Sequence, residues 1–264
     1  MEFIDAFDPD NAACERKFAF RSWTRIASSF NDLGYRVHVT RNMADVRAFW
    51  SRLPDAKREA IRMPPVQDIA YHPHVGPEDF VAFLATRAGE NTPSAMVGAR
   101  RIWIERSLKE EMEDLTFWYG ERAEEMRRLG RRCEVSAPSA REIDSDHIAW
   151  MGAGMNVSGD PLIYRAIVRA SLFFVATHWR FKATVSIVER STFRVHGFDW
   201  YGFRRNEMAI YRDDNEFLLA TMPRRELLAE ARHAAFADVA KPLLARRRPG
   251  VAPGPVVEPV PMAG

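Results

Sequence analysis

Apolar and polar positions change period several times along the chain, and the longest regular stretch organises the rest. Ile163, Ala166, Ile167, Ala170, Phe173, Phe174 and Thr177 recur at i, i+3, i+4 and i+7, which predicts an amphipathic helix with one apolar stripe. Arg165 and Arg169 lie off that stripe. Asp160 and Pro161 stand at its start, where an anionic side chain suits the helix dipole and a proline loses no needed hydrogen bond. Around this helix, residues 146–203 read as strand, tight loop, long helix, strand, short helix and a Gly-Phe step into another strand. A strand that feeds a helix through a glycine-bearing loop commonly presents backbone N–H groups to a phosphate or carboxylate. This unit is therefore the first place to look for a site.

Upstream, residues 10–34 predict a helix with Trp23, Ile26, Ala27, Phe30 and Leu33 inward and Gly34 as its stop. Residues 35–40 alternate as a strand. Asn42 suits the cap of a helix over 43–53, and a second short helix over about 55–62 ends before Pro64 and Pro65. Residues 79–88 and 95–105 predict a hairpin, with Gly98 marking a bulge. Residues 106–129 predict one helix, acidic early and basic late, whose Phe117-Trp118-Tyr119 cluster suits a core face better than a ligand groove. A turn-rich link follows over 130–145. Strands are expected over 199–212 and 216–222, then a helix from Pro223 to about 246. No internal repeat is found.

This order predicts an α+β fold, a mixed, mainly antiparallel sheet with helices on both faces. It divides into an N-terminal helical extension (1–34), one domain (35–245) with a helical insert at about 106–130, and a disordered Pro/Gly-rich tail (246–264).

Composition narrows the function classes. With 47% hydrophobic residues the chain can bury a sizeable core. The 38 basic and 36 acidic residues leave a net charge of +2, which is no argument for nucleic acid. Cys14 and Cys133 have neither disulfide-framework nor metal-ligand spacing and suit a reducing compartment. The acidic N-terminus lacks a signal-peptide layout, and no apolar run reaches membrane-spanning length, so a cytoplasmic protein is expected. His72 and His74 sit among Pro73 and Pro77 with no clear third ligand; a surface loop is expected there, and no metal. Nucleotide-binding Gly-rich, P-loop and Gly-x-Ser-x-Gly motifs are absent.

Two features carry a resemblance over roughly residues 35 to 222. Val157-Ser158-Gly159 leads from a central strand into the long helix, and Thr192-Phe193-Arg194-Val195-His196-Gly197-Phe198 is similar to a Y-x-x-x-G-F stretch after the next strand. On these the chain resembles the GNAT-like acyltransferase superfamily, as a divergent member. Its insert is similar to that of branches making acyl-homoserine lactones or N-acyl amino acids from acyl carriers. The resemblance implies transfer of an acyl group from an acyl thioester, on coenzyme A (acetyl-CoA or another acyl-CoA) or an acyl carrier protein, to a small-molecule amine. It also implies two splayed central strands with the pantetheine arm between them, and a pyrophosphate on the loop at the start of the long helix. The cofactor-binding expectation therefore covers Asn156, Val157, Ser158, Gly159 and Arg165. A homodimer is left open.

The chain departs from the pattern twice. The loop carries one glycine plus Asp160 and Pro161, leaving fewer N–H donors for a pyrophosphate. Phe193 falls where the family often has the tyrosine that protonates the leaving thiolate; Tyr164 and Tyr201 are near it in sequence. The catalytic expectation rests on Glu142 and His147, from a carboxylate-rich cluster at the start of the central strand, and on Glu189 at the end of the next. A base must accept the amine proton, and histidine has the intrinsic pKa for it. A solvated strand entrance and a helix cap are the alternative readings of these residues. For the whole chain two alternatives stand beside an enzyme: a GNAT-like protein that only binds a ligand or partner, and an unrelated interaction protein.

Overall fold

A computed structural model describes residues 24–26, 28, 30, 31, 33–55, 58, 64–91, 93–159, 161–189, 203, 205–213 and 215–232. In chain order these form β1 (Tyr35–Thr40), α1 (Met43–Ser51), β2 (Phe80–Arg87), β3 (Pro93–Ser107), α2 (Leu108–Glu113), α3 (Thr116–Tyr119), α4 (Ala123–Arg128), β4 (Cys133–Val135), α5 (Pro138–Glu142), β5 (Asp144–Asn156), α6 (Pro161–His178), β6 (Ala183–Glu189), β7 (Arg205–Arg212), β8 (Asn215–Pro223) and α7 (Arg224–Arg232). The strands make one sheet in the order β1-β2-β3-β5-β6-β8-β7-β4. Neighbours are antiparallel except β5 and β6, which run parallel and are joined by α6. The expected α+β class, mixed and mainly antiparallel with helices on both faces, is what forms.

Strand alternation sorts the core into two layers. Val81, Phe83, Ala95, Val97, Ala149 and Met151 face α6, which buries its whole predicted stripe against them. The N-terminal segment adds Ile26 and Phe30 to this layer, and α7 adds Leu227. The other face is covered in two patches. α1 packs Val46 and Phe49 on Phe80, Ala82, Met96 and Met155, while the insert packs Leu108, Met112, Phe117 and Trp118 on Ile104, Ile148, Trp150 and Leu219. Each buried large side chain contributes about 1.5–3 kcal/mol. The insert's exposed ion pairs, such as Arg122 with Glu125 at 2.7 Å, contribute about 0–1 kcal/mol each. Packing, not surface charge, therefore holds the insert down.

Three expectations change here. The single helix over 106–129 is broken into α2, α3 and α4, and its first two residues belong to β3. Asp114 turns its carboxylate onto the Thr116 N–H at 3.0 Å and hydroxyl at 2.6 Å, Leu115 takes φ 70°, and Gly120 takes φ 53°, ψ −129°. Such local side-chain bonds compete with the helix ladder, and the Gly120 conformation is closed to other residues. The link over 130–145 holds β4, paired with β7, and α5. His72 is not on the surface: it is 8% exposed, and its Nε2 lies 3.0 Å from the Trp118 carbonyl. Among the described residues no helix is long and apolar enough to cross a membrane.

Candidate functional site: a split between the central strands

β5 and β6 pair only from Ile148–Ala183 to Met151–Ser186. Yet β5 continues on β3 to Asn156, and β6 continues on β8 to Glu189. The two strands thus part beyond Met151 and Ser186, opening two strand edges inside the sheet. The register explains the divergence. Between the pairs Gly98–Gly152 and Met96–Met155, residues 153 and 154 of β5 oppose Val97 alone. One extra residue is a bulge, which bends its strand and ends pairing. The irregularity expected at Gly98 is therefore carried by the partner strand.

Glycines let the bent strand pack. A Cβ on Gly152 would stand 2.0 Å from the Trp150 ring, and one on Gly154 would stand 1.7 Å from the Tyr164 hydroxyl. Trp150 belongs to the insert face and Tyr164 to the α6 face. The bulge thus switches the side on which successive glycines are overlaid, and it brings the first turns of α6 against the opened edge of β5. The loop that follows is tied to β3. The N–H groups of Val157 and Ser158 both donate to the Ser94 carbonyl, at 2.9 and 3.0 Å. The Ser158 hydroxyl donates to Asn156 Oδ1 at 3.1 Å. Two of the loop's expected anion donors are thereby engaged with protein. Gly159 is exposed, and Asp160 lies outside the described residues. Arg165 sits near Arg169, whose guanidinium is lowered by burial and then by Arg165, with Glu230 opposing the shift.

Glu189 is exposed at the open end of the split. Glu142 and His147 are at the other end. Glu142 ends α5, and His147 lies five positions before Gly152, roughly 17 Å along the strand. The His147 ring meets Trp103 edge-on at 4.9 Å. The structure brings Asn156, Val157, Ser158 and Gly159 together at the split and leaves Glu142 and His147 away from it. Phe193 and Tyr201 lie outside the described residues.

Beside the split, the insert face is polar at depth. Gln67 is fully buried, and its amide lies over Gly98, within 2.7 Å of where a Cβ would be. Arg100, on β3 opposite Trp150, donates from Nη1 to the Val66 carbonyl at 2.7 Å. Burial depresses Arg100 to about 10, with Asp79 opposing. His72 is lowered to about 4, by burial first and then by Arg100. Among the described residues, Gln67 Nε2 and Oε1, Arg100 Nε and Trp150 Nε1 have no hydrogen-bond partner. Sequence reasoning missed Tyr164's placement, Gln67 and Arg100. The Gly152-x-Gly154 pair inside a strand was the legible signal of a bulge.

No protein-family model matches the chain, and no curated protein sequence does. Solved structures do. FeeM, an N-acyl amino acid synthase from uncultured soil microbes, is 9% identical, with 74% of this chain and 93% of that chain covered and a TM-score of 0.44. NAA60 of Arabidopsis thaliana, solved with acetyl-CoA, is 11% identical, covering 72% and 98%, with a TM-score of 0.41. AAC(6')-Ib, solved with paromomycin and acetyl-CoA, is 15% identical, covering 76% of this chain and 99% of that chain, with a TM-score of 0.41. These likenesses are loose. The strand order, the single parallel pair bridged by α6 and the split in that pair are properties of this sheet itself. They agree with the splayed central strands that the resemblance to the GNAT-like acyltransferases implies.

Proposed function

We propose that the protein transfers an acyl group from a thioester, held between β5 and β6, to an amine. The observation that carries this reading is the split: beyond Met151 and Ser186 the two strands keep their outer partners but not each other. An opened edge offers backbone N–H and C=O groups to an extended, amide-bearing ligand, as in strand addition. A pantetheine arm has that chemistry. A backbone N–H on such an edge also suits the oxygen of a thioester carbonyl as it gains charge.

In the reaction, the amine nitrogen bonds to the carbonyl carbon, the C–S bond breaks and the thiolate leaves with a proton. Glu189 stands at the open end and suits the acceptance of the amine proton. The Tyr164 phenol, at the opened edge, suits its delivery to sulfur. With Val157 and Ser158 engaged by Ser94, the pyrophosphate is left to Gly159 and the first turns of α6. The pantetheine arm then supplies more of the donor's binding than the nucleotide. This favours acyl carrier protein or acyl-pantetheine over the acyl-CoA nucleotide as the anchoring element.

The test is a thermal shift with acetyl-CoA, longer acyl-CoAs, free CoA and acyl-pantetheine. A ligand of the native state at a hundred times its Kd adds about 2.7 kcal/mol. A rise with acyl-pantetheine close to that with the matching acyl-CoA is expected. No shift with any of them sinks the reading. A shift without thiol release against any amine would make the protein a binder rather than an enzyme.

A further inference from the structure

We infer that Trp150 acts as an acyl-length stop: it closes the apex of the split, so that the thioester donor carries a short acyl group. This rests on the acyl-transfer reading for the place of the donor. A pantetheine arm that lies between β5 and β6 from the open end puts its sulfur in the split and the acyl carbons beyond it, toward the apex. There the strands close at Met151 and Ser186. A long acyl chain must then leave through one face of the sheet. On the insert face the Trp150 indole lies across Gly152, the first β5 residue beyond the pairing with β6; a Cβ on Gly152 would stand 2.0 Å from that ring. Trp150 is 1% exposed, and the fully buried Gln67 covers Gly98, the partner of Gly152. Val185, which pairs with Trp150 on β6, is fully buried in the same layer.

The α6 face is filled as well. Met151 and Ser186 are buried at the apex, and the buried Ser171 hydroxyl donates to the Met151 sulfur at 3.8 Å. Thr184, two residues before Ser186, is fully buried. Burial falls only toward the mouth, where Ile187 and Val188 are half-buried and Glu189 is exposed. The acceptor amine therefore has room at the mouth, whereas a lengthening acyl group meets packed side chains. Each added methylene has to displace one of them, and close-packed interiors resist even that much volume. Of these side chains, Trp150 is the one laid over the split rather than over the closed ladder. Its Nε1 has no hydrogen-bond partner among the described residues, so packing holds the ring. A smaller side chain at this position frees volume without breaking a hydrogen bond, which makes it a direct test.

The experiment titrates the full chain with acetyl, butyryl, hexanoyl and octanoyl thioesters of pantetheine and of CoA, with free pantetheine and free CoA as references. Wild type, Trp150→Phe and Trp150→Leu are each read by thermal shift from their own melting temperature. In wild type the acetyl thioester is expected to bind most tightly and the octanoyl thioester about 10–100-fold more weakly. In Trp150→Leu the octanoyl-to-acetyl affinity ratio should rise by about 10-fold or more, with Trp150→Phe between the two. Should Trp150→Leu fail to fold, Trp150→Phe and the wild-type series decide. Octanoyl thioesters that bind wild type as tightly as acetyl ones overturn the stop while leaving acyl transfer standing, and so does a ratio unchanged in the folded variants. No shift with any thioester or reference, in any of the three proteins, is the different outcome that fells the acyl-transfer reading and the stop with it.

Discussion

The Tyr164 hydroxyl stands 1.7 Å from the position an added Cβ on Gly154 would occupy, so the first turns of α6 are seated directly on the bent end of β5. Gly154→Ala must displace either the phenol or the strand. It is expected to cost about 1–3 kcal/mol, as overpacking does, and to abolish the donor's thermal shift with the split deformed. Tyr164→Phe removes only the hydroxyl. It should keep the fold and the donor shift but lower turnover about 100-fold or more, with loss of the alkaline limb of the pH–rate profile. Full turnover in Tyr164→Phe would remove the phenol from the proton path.

His72 makes stability depend on pH. Its imidazole is buried, bonded through Nε2 to the Trp118 carbonyl at 3.0 Å, and lowered from 6.5 to about 4 by burial and then by Arg100. Between those values the unfolded chain binds a proton that the folded chain refuses. Stability from this group is therefore complete above about pH 6.5 and falls as pH drops toward 4, by about 3 kcal/mol across the window. Urea unfolding of wild type and His72→Gln at pH 7 and pH 4.5 checks the sign. The variant should lose less stability on acidification than wild type; equal losses would show that His72 is not the group responsible.

Where β3 hands over to the insert, Ser107 and Glu110 form a reciprocal cap. The Ser107 hydroxyl accepts from the Glu110 N–H at 3.2 Å, and the Glu110 carboxylate accepts from the Ser107 N–H at 3.0 Å. Ser107→Ala is expected to cost about 1 kcal/mol, and Ser107→Asn to recover most of it. Equilibrium unfolding reads this directly. A loss well above that size would mean that the cap also holds the insert on the sheet.

Elements with a strong period were legible in the chain. The α6 stripe from Ile163 to Thr177 is buried as its spacing implies, Asn42 caps α1 by accepting from the Ala44 N–H at 2.9 Å, and the expected β2–β3 hairpin forms. Elements governed by a single local bond were not. Asp114 interrupts a composition that otherwise reads as one helix, and β4 exists only because β7 pairs with it. His72 looked like a loop residue because its burial comes from Trp118, 46 positions away.

The site divides in the same way. By itself the sequence determined the strand–loop–helix unit, the lone glycine and carboxylate of its loop, and the glycine pair at 152 and 154, because these are properties of contiguous residues. Only the tertiary structure decided that β5 parts from β6 after Met151, that Ser94 engages the N–H groups of Val157 and Ser158, and that Gln67 is buried over Gly98 beside the split. It also decided that Glu142 and His147 belong to the far end of β5. Register is a relation between strands: one extra residue opposite Val97 turns the following side chains to the other face. No periodicity within a single segment carries that information.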